Sequence, residues 1–111
     1  MSHRIDYIEF HAADLAATKR FYAGLFEWKF TDYGPAYSSF EDGRIAGGFD
    51  ASDSAVRTPL VVLYADDLEG VQKRVAAAGG KIVKPIFSFP GGRRFHFTDP
   101  NGNELAVWSD K

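Results

Sequence analysis

The sequence predicts an α+β fold of two tandem modules, each ordered β-α-β-β-β, whose curved mixed sheets surround a shared cleft. Two observations carry this prediction. An apolar strand pattern runs into Asp-Leu at residues 14–15 and again at residues 67–68, and an amphipathic helix pattern follows each time. A tight turn then comes late in each half, at residues 41–44 and 99–102. A duplicated unit of this kind places function in the cleft that its two copies share.

The elements of the first module follow from its local patterns. Residues 5–12 alternate between the two faces of a strand, one of them apolar. Asp14 is a good N-cap for a helix over Leu15–Phe26, whose apolar positions recur at three- and four-residue steps. Asp42-Gly43 fits a two-residue hairpin turn. Strands are predicted around it at Trp28–Phe30, Ala36–Phe40 and Arg44–Phe49.

Residues 51–58 are small and polar, and they are the predicted linker between the halves. We expect the first module at about residues 4–50 and the second at about 59–110. The length of 111 residues suits one domain, residues 1–111, with a real hydrophobic core.

The second module repeats the order of the first. Leu60–Ala65 is a predicted strand, and Asp67 caps a helix that Gly79-Gly80 ends. Residues 84–90 are expected to be irregular, because the two prolines in this segment cannot donate to a strand ladder. The remaining predicted strands are Lys81–Val83, Arg94–Thr98 and Glu104–Ser109.

The composition excludes several classes of partner. The net charge of −2 gives no general attraction to nucleic acid or to an acidic membrane surface. There are no cysteines, so disulfides and thiolate metal sites are excluded. No apolar run approaches the length of a membrane span, and the N-terminus lacks a signal segment. We therefore expect a cytoplasmic protein.

The first strand has a polar face with candidate catalytic groups. Ile8 and Phe10 point to one side, which we expect to face the helix, whereas Tyr7, Glu9 and His11 point to the other. In a partly dry cleft, the carboxylate of Glu9 and the imidazole of His11 could share a proton. The alternative is a solvated strand face on which these two side chains make a weak contact.

The second module has a related pair on alternating positions. Arg94 and His96 are expected on the concave side, while the phenylalanines around them pack under the helix. Arg94 could hold a ligand carboxylate or phosphate through its fork of donors, and His96 could act as acid, base or hydrogen-bond donor. Alternatively, Arg94 forms a structural ion pair with Glu9 or Glu104.

The last strand adds Glu104 and Trp108 to the same face, with Trp108 either a stacking wall for a ligand or a core residue. The predicted catalytic residues are thus Glu9, His11 and His96. The predicted ligand-binding residues are Tyr7, Phe49, Tyr64, Arg94, Glu104 and Trp108.

Several short motifs occur in a fixed order along nearly the whole chain, from about Ile5 to Ser109. They are Ala13–Leu15, Lys19–Tyr22, Leu25–Trp28, Val71–Gly80 and Phe97–Asn103. In this order and spacing they resemble the glyoxalase/bleomycin-resistance/extradiol-dioxygenase (vicinal oxygen chelate) superfamily. The resemblance implies two β-α-β-β-β modules, often completed by a second subunit, and hence a homodimer.

The same resemblance implies where a divalent metal would bind in metal-dependent members. Counting from the helix caps and the late turns, the four ligand positions fall on Tyr7, Gly47, Leu60 and Ala106. Three of these cannot coordinate through a side chain, and a neutral tyrosine is a poor ligand. We therefore predict no metal and no cofactor.

The predicted function is that of a glyoxalase-like protein that binds a small organic molecule in an aromatic and polar cleft. One alternative is a metal-independent lyase or isomerase that uses Glu9 or His96 as base, with Arg94 steadying an enolate. The second alternative is a lactoylglutathione-lyase-like enzyme whose metal ligands have moved to Glu9, His11, His96 and Glu104.

Overall fold

The computed structural model describes residues 3–52 and 59–111. They form a mixed α+β fold in which two compact units can be recognised. The first unit contains the described residues between Tyr7 and Leu60, and the second contains residues 3–6 and 61–111. Most of the predicted linker, residues 53–58, lies outside the described residues. Of the described helices, none has the length and apolar character that crossing a membrane requires.

The first unit follows the predicted β-α-β-β-β order. Its four strands are arranged β2-β3-β4-β1, with β1 parallel to β4 and the other two pairs antiparallel. The first strand, β1, begins within the second unit and continues from Tyr7 in the first. The elements are β1 (Arg4–His11), α1 (Leu15–Phe26), β2 (Lys29–Asp32), β3 (Tyr37–Glu41) and β4 (Ala46–Asp50).

Helix α1 has the predicted bounds because its start signal is local. The Asp14 side chain accepts a hydrogen bond from the Ala17 backbone N–H at 3.1 Å, which satisfies a donor that the first helical turn leaves open. At the other end, Glu27 takes the left-handed conformation with φ 60°. Glycine is the usual residue in that conformation, so a glutamate here costs stability.

The core of the first unit is a cluster of aromatic rings between α1 and the sheet. Phe40 and Phe49 are buried, and Phe49 stacks on Phe10 with ring centroids 5.5 Å apart. Trp28 lies between Tyr22, at 4.7 Å, and Phe40, at 4.5 Å. Helix α1 itself contributes no fully buried residue to this core.

The second unit repeats the topology of the first. Its strands are arranged β5-β8-β7-β6, with β5 parallel to β8 and the other pairs antiparallel. The elements are β5 (Leu60–Tyr64), α2 (Leu68–Ala77), β6 (Lys81–Phe89), β7 (Gly92–Thr98) and β8 (Glu104–Ser109).

Helix α2 is capped as the sequence predicts. The Asp67 side chain accepts from the Gly70 backbone N–H at 3.0 Å, and Gly79 turns the chain after the helix with φ 99°. Leu68 is fully buried against Phe95 and Val107, in a core built from α2 and the sheet. In both halves, an aspartate caps the helix and the helix packs on one face of the sheet.

The prediction of an irregular segment at residues 84–90 is wrong for most of its length, because β6 continues to Phe89. This strand lies at the edge of its sheet, where a proline need not donate to a neighbour. The pairing with β7 shifts register on either side of Lys84, which accommodates Pro85. The Ile86 N–H instead donates to the Gln72 side chain of α2 at 3.2 Å.

Candidate functional site

A row of side chains crosses all four strands of the second unit on the face that turns away from α2. Phe87 of β6 is in register with Arg94 of β7, Arg94 with Trp108 of β8, and Trp108 with Tyr64 of β5. All four side chains are half-buried. Three of the predicted ligand-binding residues thus lie side by side, because strand pairing aligns residues that are far apart in the chain.

Arg94 is surrounded by aromatic rings. Its guanidinium carbon lies 5.7 Å from the centre of the Phe87 ring and 5.8 Å from that of Phe89. Phe89 is also 6.3 Å from the Trp108 ring, which meets Tyr64 edge-on at 5.2 Å. At such distances the rings hold the cation over their faces and shield one side of it from water. Phe87 and Phe89 were not predicted as site residues, although their alternation around Ser88 is a strand signal.

The outer end of the row is fixed by carboxylates. The Trp108 indole N–H donates to Asp6 at 2.9 Å, and the Tyr64 hydroxyl donates to Asp110 and lies 3.1 Å from a carboxylate oxygen of Asp66. The hydrogen bond to Asp110 is the main cause that raises the pKa of Tyr64. These contacts orient the indole and phenol rings, so their exposed faces form a fixed wall.

His96 occupies the next row, between Lys84 and Ala106. Its side chain is 0% exposed, and its Nδ1 lies 2.8 Å from a carboxylate oxygen of Glu104. Burial lowers the pKa of His96, and the nearby cations of Arg94 and Lys84 add to this effect, while Glu104 opposes it. The neutral ring therefore donates from Nδ1 to the carboxylate.

The other ring nitrogen of His96, Nε2, is buried and has no hydrogen-bond partner among residues 3–52 and 59–111. With Nδ1 protonated, Nε2 carries a lone pair and can accept a hydrogen bond or a proton. An unmet buried acceptor costs about 1–3 kcal/mol, so its retention marks a position where another group can bind. Glu104, predicted to bind ligand, orients this imidazole.

The polar face of the first unit holds a network of three side chains, Tyr7, Tyr37 and Glu9. The Tyr37 hydroxyl donates to Glu9 at 2.8 Å and lies 2.5 Å from the Tyr7 hydroxyl. Because the single proton of Tyr37 is directed to Glu9, Tyr7 donates to Tyr37. Burial and the Glu9 carboxylate both raise the pKa of Tyr37, which keeps its hydroxyl protonated. Glu9 is only 7% exposed, and its carboxylate accepts the Tyr37 hydrogen bond inside the first unit.

Gly48 makes room for this network. A Cβ at Gly48 would collide with the Tyr37 hydroxyl and lie 2.6 Å from the Tyr7 hydroxyl oxygen. Tyr37 was missed by the sequence analysis, because no local pattern connects a residue of β3 with Glu9 of β1.

The other two predicted residues of the first unit lie on opposite faces of its sheet. His11 is half-buried at the end of β1, in register with Asp50 of β4. Phe49 pairs with Phe10 and lies on the opposite face, in the aromatic core under α1, where it is 4% exposed. The structure therefore gives Phe49 a packing role, on the other face of the sheet from Tyr7.

The positions of the family's metal ligands can be compared with the strand register. In β8 the position is Ala106, and its register partner Val62 lies on the same face as the row through Arg94. The corresponding residue of β4 is Gly48, which is in register with Glu9 on the polar face of the sheet. Gly47 lies on the other face, because a Cβ there would collide with the Phe40 ring in the core under α1. Counting along the sequence gave Gly47 as the β4 metal-ligand position, one residue away from the position that the strand register indicates.

The residues at these positions do not fit a divalent ion. Leu60 and Ala106 are buried apolar residues, Gly48 has no side chain, and the Tyr7 phenol is engaged with Tyr37. In residues 3–52 and 59–111, no three side chains of the His, Cys, Asp or Glu type lie together as a metal site. The relocated ligand set is not supported by this part of the chain.

Known proteins share both sequence and fold with this chain. The family model of the glyoxalase/bleomycin resistance protein/dioxygenase superfamily matches residues 4–107. The anthracycline biosynthesis protein DnrV of Streptomyces peucetius is 30% identical over 92% of the chain. The chain spans less than half the length of the curated sequence relatives that it matches, 45% in the case of DnrV.

Solved structures share the fold. The Mn(II)-bound glyoxalase from Novosphingobium aromaticivorans has a TM-score of 0.73 at 24% identity, over 98% of this chain and 39% of that one. Methylmalonyl-CoA epimerase from Mycobacterium tuberculosis has a TM-score of 0.77 at 14% identity, over 97% and 88%. The motifs, the repeated topology and the family match agree, and the chain belongs to the glyoxalase/bleomycin resistance protein/dioxygenase superfamily.

Proposed function

We propose that this protein binds a small organic anion with an aromatic portion, and that it does so without a metal at the family's ligand positions. The site is the polar face of the second unit. The single observation that carries the proposal is the cross-strand row in which Arg94 lies among Phe87, Trp108 and Tyr64.

The chemistry of this row suits such a ligand. A guanidinium presents paired donors that match a carboxylate or phosphate, and hydrogen bonds to charged groups contribute about 1.5–3 kcal/mol each. The Trp108 and Phe89 rings offer flat apolar surface for an aromatic portion. His96 Nε2, in the adjoining row, could accept a hydrogen bond from a ligand hydroxyl or amide.

Relatives support a small organic ligand without identifying it. The names of two of them refer to anthracycline biosynthesis, which concerns small organic molecules. Superfamily membership admits both binding proteins and enzymes, so the residues of this chain must decide between them.

The test is a titration with aromatic carboxylates of increasing size, such as benzoate, salicylate and 2-naphthoate, followed by isothermal calorimetry. At least one should bind, and Arg94→Met should weaken it by about tenfold or more, since the charged hydrogen bonds are lost. Arg93→Met is the matched control, because Arg93 pairs with Glu69 of α2 and should leave affinity unchanged. Equal affinity of both variants would refute the site.

Metal independence is tested on the same complex. Treatment with EDTA should leave the affinity unchanged, and elemental analysis of protein purified without chelator should show no stoichiometric zinc, nickel, manganese or iron. Loss of binding on chelation, with recovery on adding one of these ions, would overturn this part of the proposal.

A second candidate function is proton abstraction next to a carbonyl group, with His96 as base. The His96–Glu104 contact favours it, because the carboxylate fixes the tautomer whose Nε2 accepts a proton. The C–H bond would break, its proton would pass to Nε2, and the electron pair would move to the carbonyl oxygen beside Arg94. Glu9 is the other predicted base. Binding ranks first because Nε2 is buried and binding needs less rearrangement.

Deuterium exchange distinguishes the two functions. With phenylpyruvate as probe in D₂O, a base next to the carbonyl would speed exchange of the α-protons, read by NMR. His96→Gln should abolish the enhancement while retaining calorimetric binding, and Glu9→Gln tests the other base. If the probe binds but its protons exchange no faster than in buffer alone, the protein binds this ligand without catalysing proton abstraction.

A further inference from the structure

A second cation, Lys84 of β6, lies beside Arg94 on the polar face of the second unit. Lys84 is in register with His96 of β7, and Arg94 comes two residues before His96 on the same strand. Residues two apart on a strand, and residues opposite each other in a strand pair, point to the same face of the sheet. The two cations therefore share a face, at diagonal positions whose Cα atoms are about 7–8 Å apart.

Two register shifts in β6 turn the side chain of Lys84 to this face. Under strict alternation, Lys84 would share a side with Ile82 and Ile86, which pack against the core under α2. Each shift inserts one extra residue in β6 and so reverses the side to which the next residue points. The irregularity that accommodates Pro85 therefore also brings a cation to the polar face.

The side chain between the two cations is His96. Its ring lies 5.8 Å from the Phe87 ring, which is also 5.7 Å from the guanidinium carbon of Arg94. Burial is the main cause that lowers the pKa of His96, and the charges of Arg94 and Lys84 add to it because both are close to the imidazole. The buried Nε2 of His96 is left without a partner by residues 3–52 and 59–111, which is an independent sign that a ligand reaches this place.

The part of the fold that the structure describes does not use Lys84 in an ion pair. None of the ion pairs formed within residues 3–52 and 59–111 involves it, although Lys19 pairs with Asp32 and Lys111 with Asp66. The side chain of Lys84 is half-buried and so partly shielded from water. Such a cation attracts an anion more strongly than a fully exposed one, because the solvent screens it less.

We propose that the ligand of this face carries two separate acidic groups on one aromatic scaffold, one bound by Arg94 and the other by Lys84. This inference rests on the function proposed above, which requires only one acidic group. Lys84 sets the specificity, because an aromatic dicarboxylate contacts both cations and a monocarboxylate of the same size contacts one. A hydroxyl or amide hydrogen of the ligand between the two acidic groups satisfies Nε2 of His96.

Calorimetric titration with a matched pair of ligands tests the inference. Isophthalate has two carboxylates, and its monomethyl ester has nearly the same shape but a single negative charge. The natural protein should bind isophthalate about fivefold more tightly than the monoester, or better. Lys84→Met should make the two affinities equal, whereas Lys84→Arg, which keeps the charge, should retain the preference for isophthalate.

Lys73→Met is the matched control, because Lys73 is exposed on α2, on the other side of the sheet. It should leave the preference unchanged, and thermal unfolding should show that Lys84→Met remains folded. A preference for isophthalate that survives in Lys84→Met would overturn the inference.

The same titrations separate a failure of this inference from a failure of the proposed function. If the natural protein binds both ligands equally and Arg94→Met still weakens the monoester, the second acidic group is wrong and the proposed function stands. If neither ligand binds, or if Arg94→Met binds both as tightly as the natural protein does, the proposed function fails together with the inference.

Discussion

The two units have the same order of elements and the same strand pairing, yet the faces turned away from their helices differ in chemistry. In the first unit, Tyr7, Tyr37 and Glu9 bond to one another around Gly48. In the second unit, Arg94 lies among aromatic rings. A network that satisfies its own polar groups favours structure, whereas a cation among rings favours binding. This contrast is why we propose the ligand site on the second unit.

The helices differ in a similar way. Asp14 and Asp67 cap them with nearly equal hydrogen bonds, at 3.1 Å and 3.0 Å. The leucine after the cap is fully buried in α2, as Leu68, but only half-buried in α1, as Leu15. The second unit thus anchors the start of its helix in its own core, and the first leaves the start of α1 partly exposed.

The largest expected effect contrasts these two leucines. Leu68→Ala should lower the free energy of unfolding by about 3 kcal/mol, because it leaves a cavity in a closed core. Leu15→Ala should lower it by about 1 kcal/mol, because less apolar surface is lost. Urea unfolding of both variants measures the difference. Equal losses would mean that the two helices are equally anchored.

The network of the first unit can be broken at Gly48. Gly48→Ala should destabilise the protein by about 1–3 kcal/mol, since the added methyl group displaces the Tyr37 and Tyr7 hydroxyls. In a Tyr37→Phe background the same change should cost less, because the colliding oxygen is gone. A double-mutant cycle measured by urea unfolding checks this. Strict additivity would show that the two positions do not meet.

The buried imidazole of the second unit should make stability depend on pH. The pKa of His96 is lowered in the folded chain, so below the ordinary value of 6.5 the unfolded chain takes up a proton that the folded chain resists. The free energy of unfolding should therefore fall as pH decreases from 7 to 5. The fall should be moderate, because Glu104 partly compensates an imidazolium. Urea unfolding of His96→Gln should show a weaker pH dependence of the free energy of unfolding. An unchanged pH dependence would mean that a group other than His96 causes the effect.

The smallest effects contrast the helix ends. Glu27→Gly should raise the free energy of unfolding by about 0.5–1 kcal/mol, since glycine takes the left-handed conformation without steric cost. Gly79→Ala should lower it by a similar amount, about 0.5–1 kcal/mol, because φ there is 99°. Thermal unfolding monitored by circular dichroism measures both. If both substitutions raised or both lowered the free energy of unfolding, the left-handed conformation assigned to Glu27 or to Gly79 would be wrong.

The elements with local signals were predicted well. The bounds of α1 agree because a cap and a periodic stripe lie within one short segment. The extension of β6 through Pro85 was not predicted, because proline is tolerated only where the strand lies at a sheet edge, and edge position depends on the whole topology. The face of Phe49 depends on the register of β4 with β1, which a one-residue error inverts.

By itself, the sequence determined the repeated order of elements, both aspartate caps and the polar side of β1. Only the tertiary structure decided that Tyr37 meets Glu9, 28 residues away, and that Phe87 lies beside Arg94. The reason is that periodicity is a property of one segment, whereas a contact between strands requires a register that pairing and packing set together.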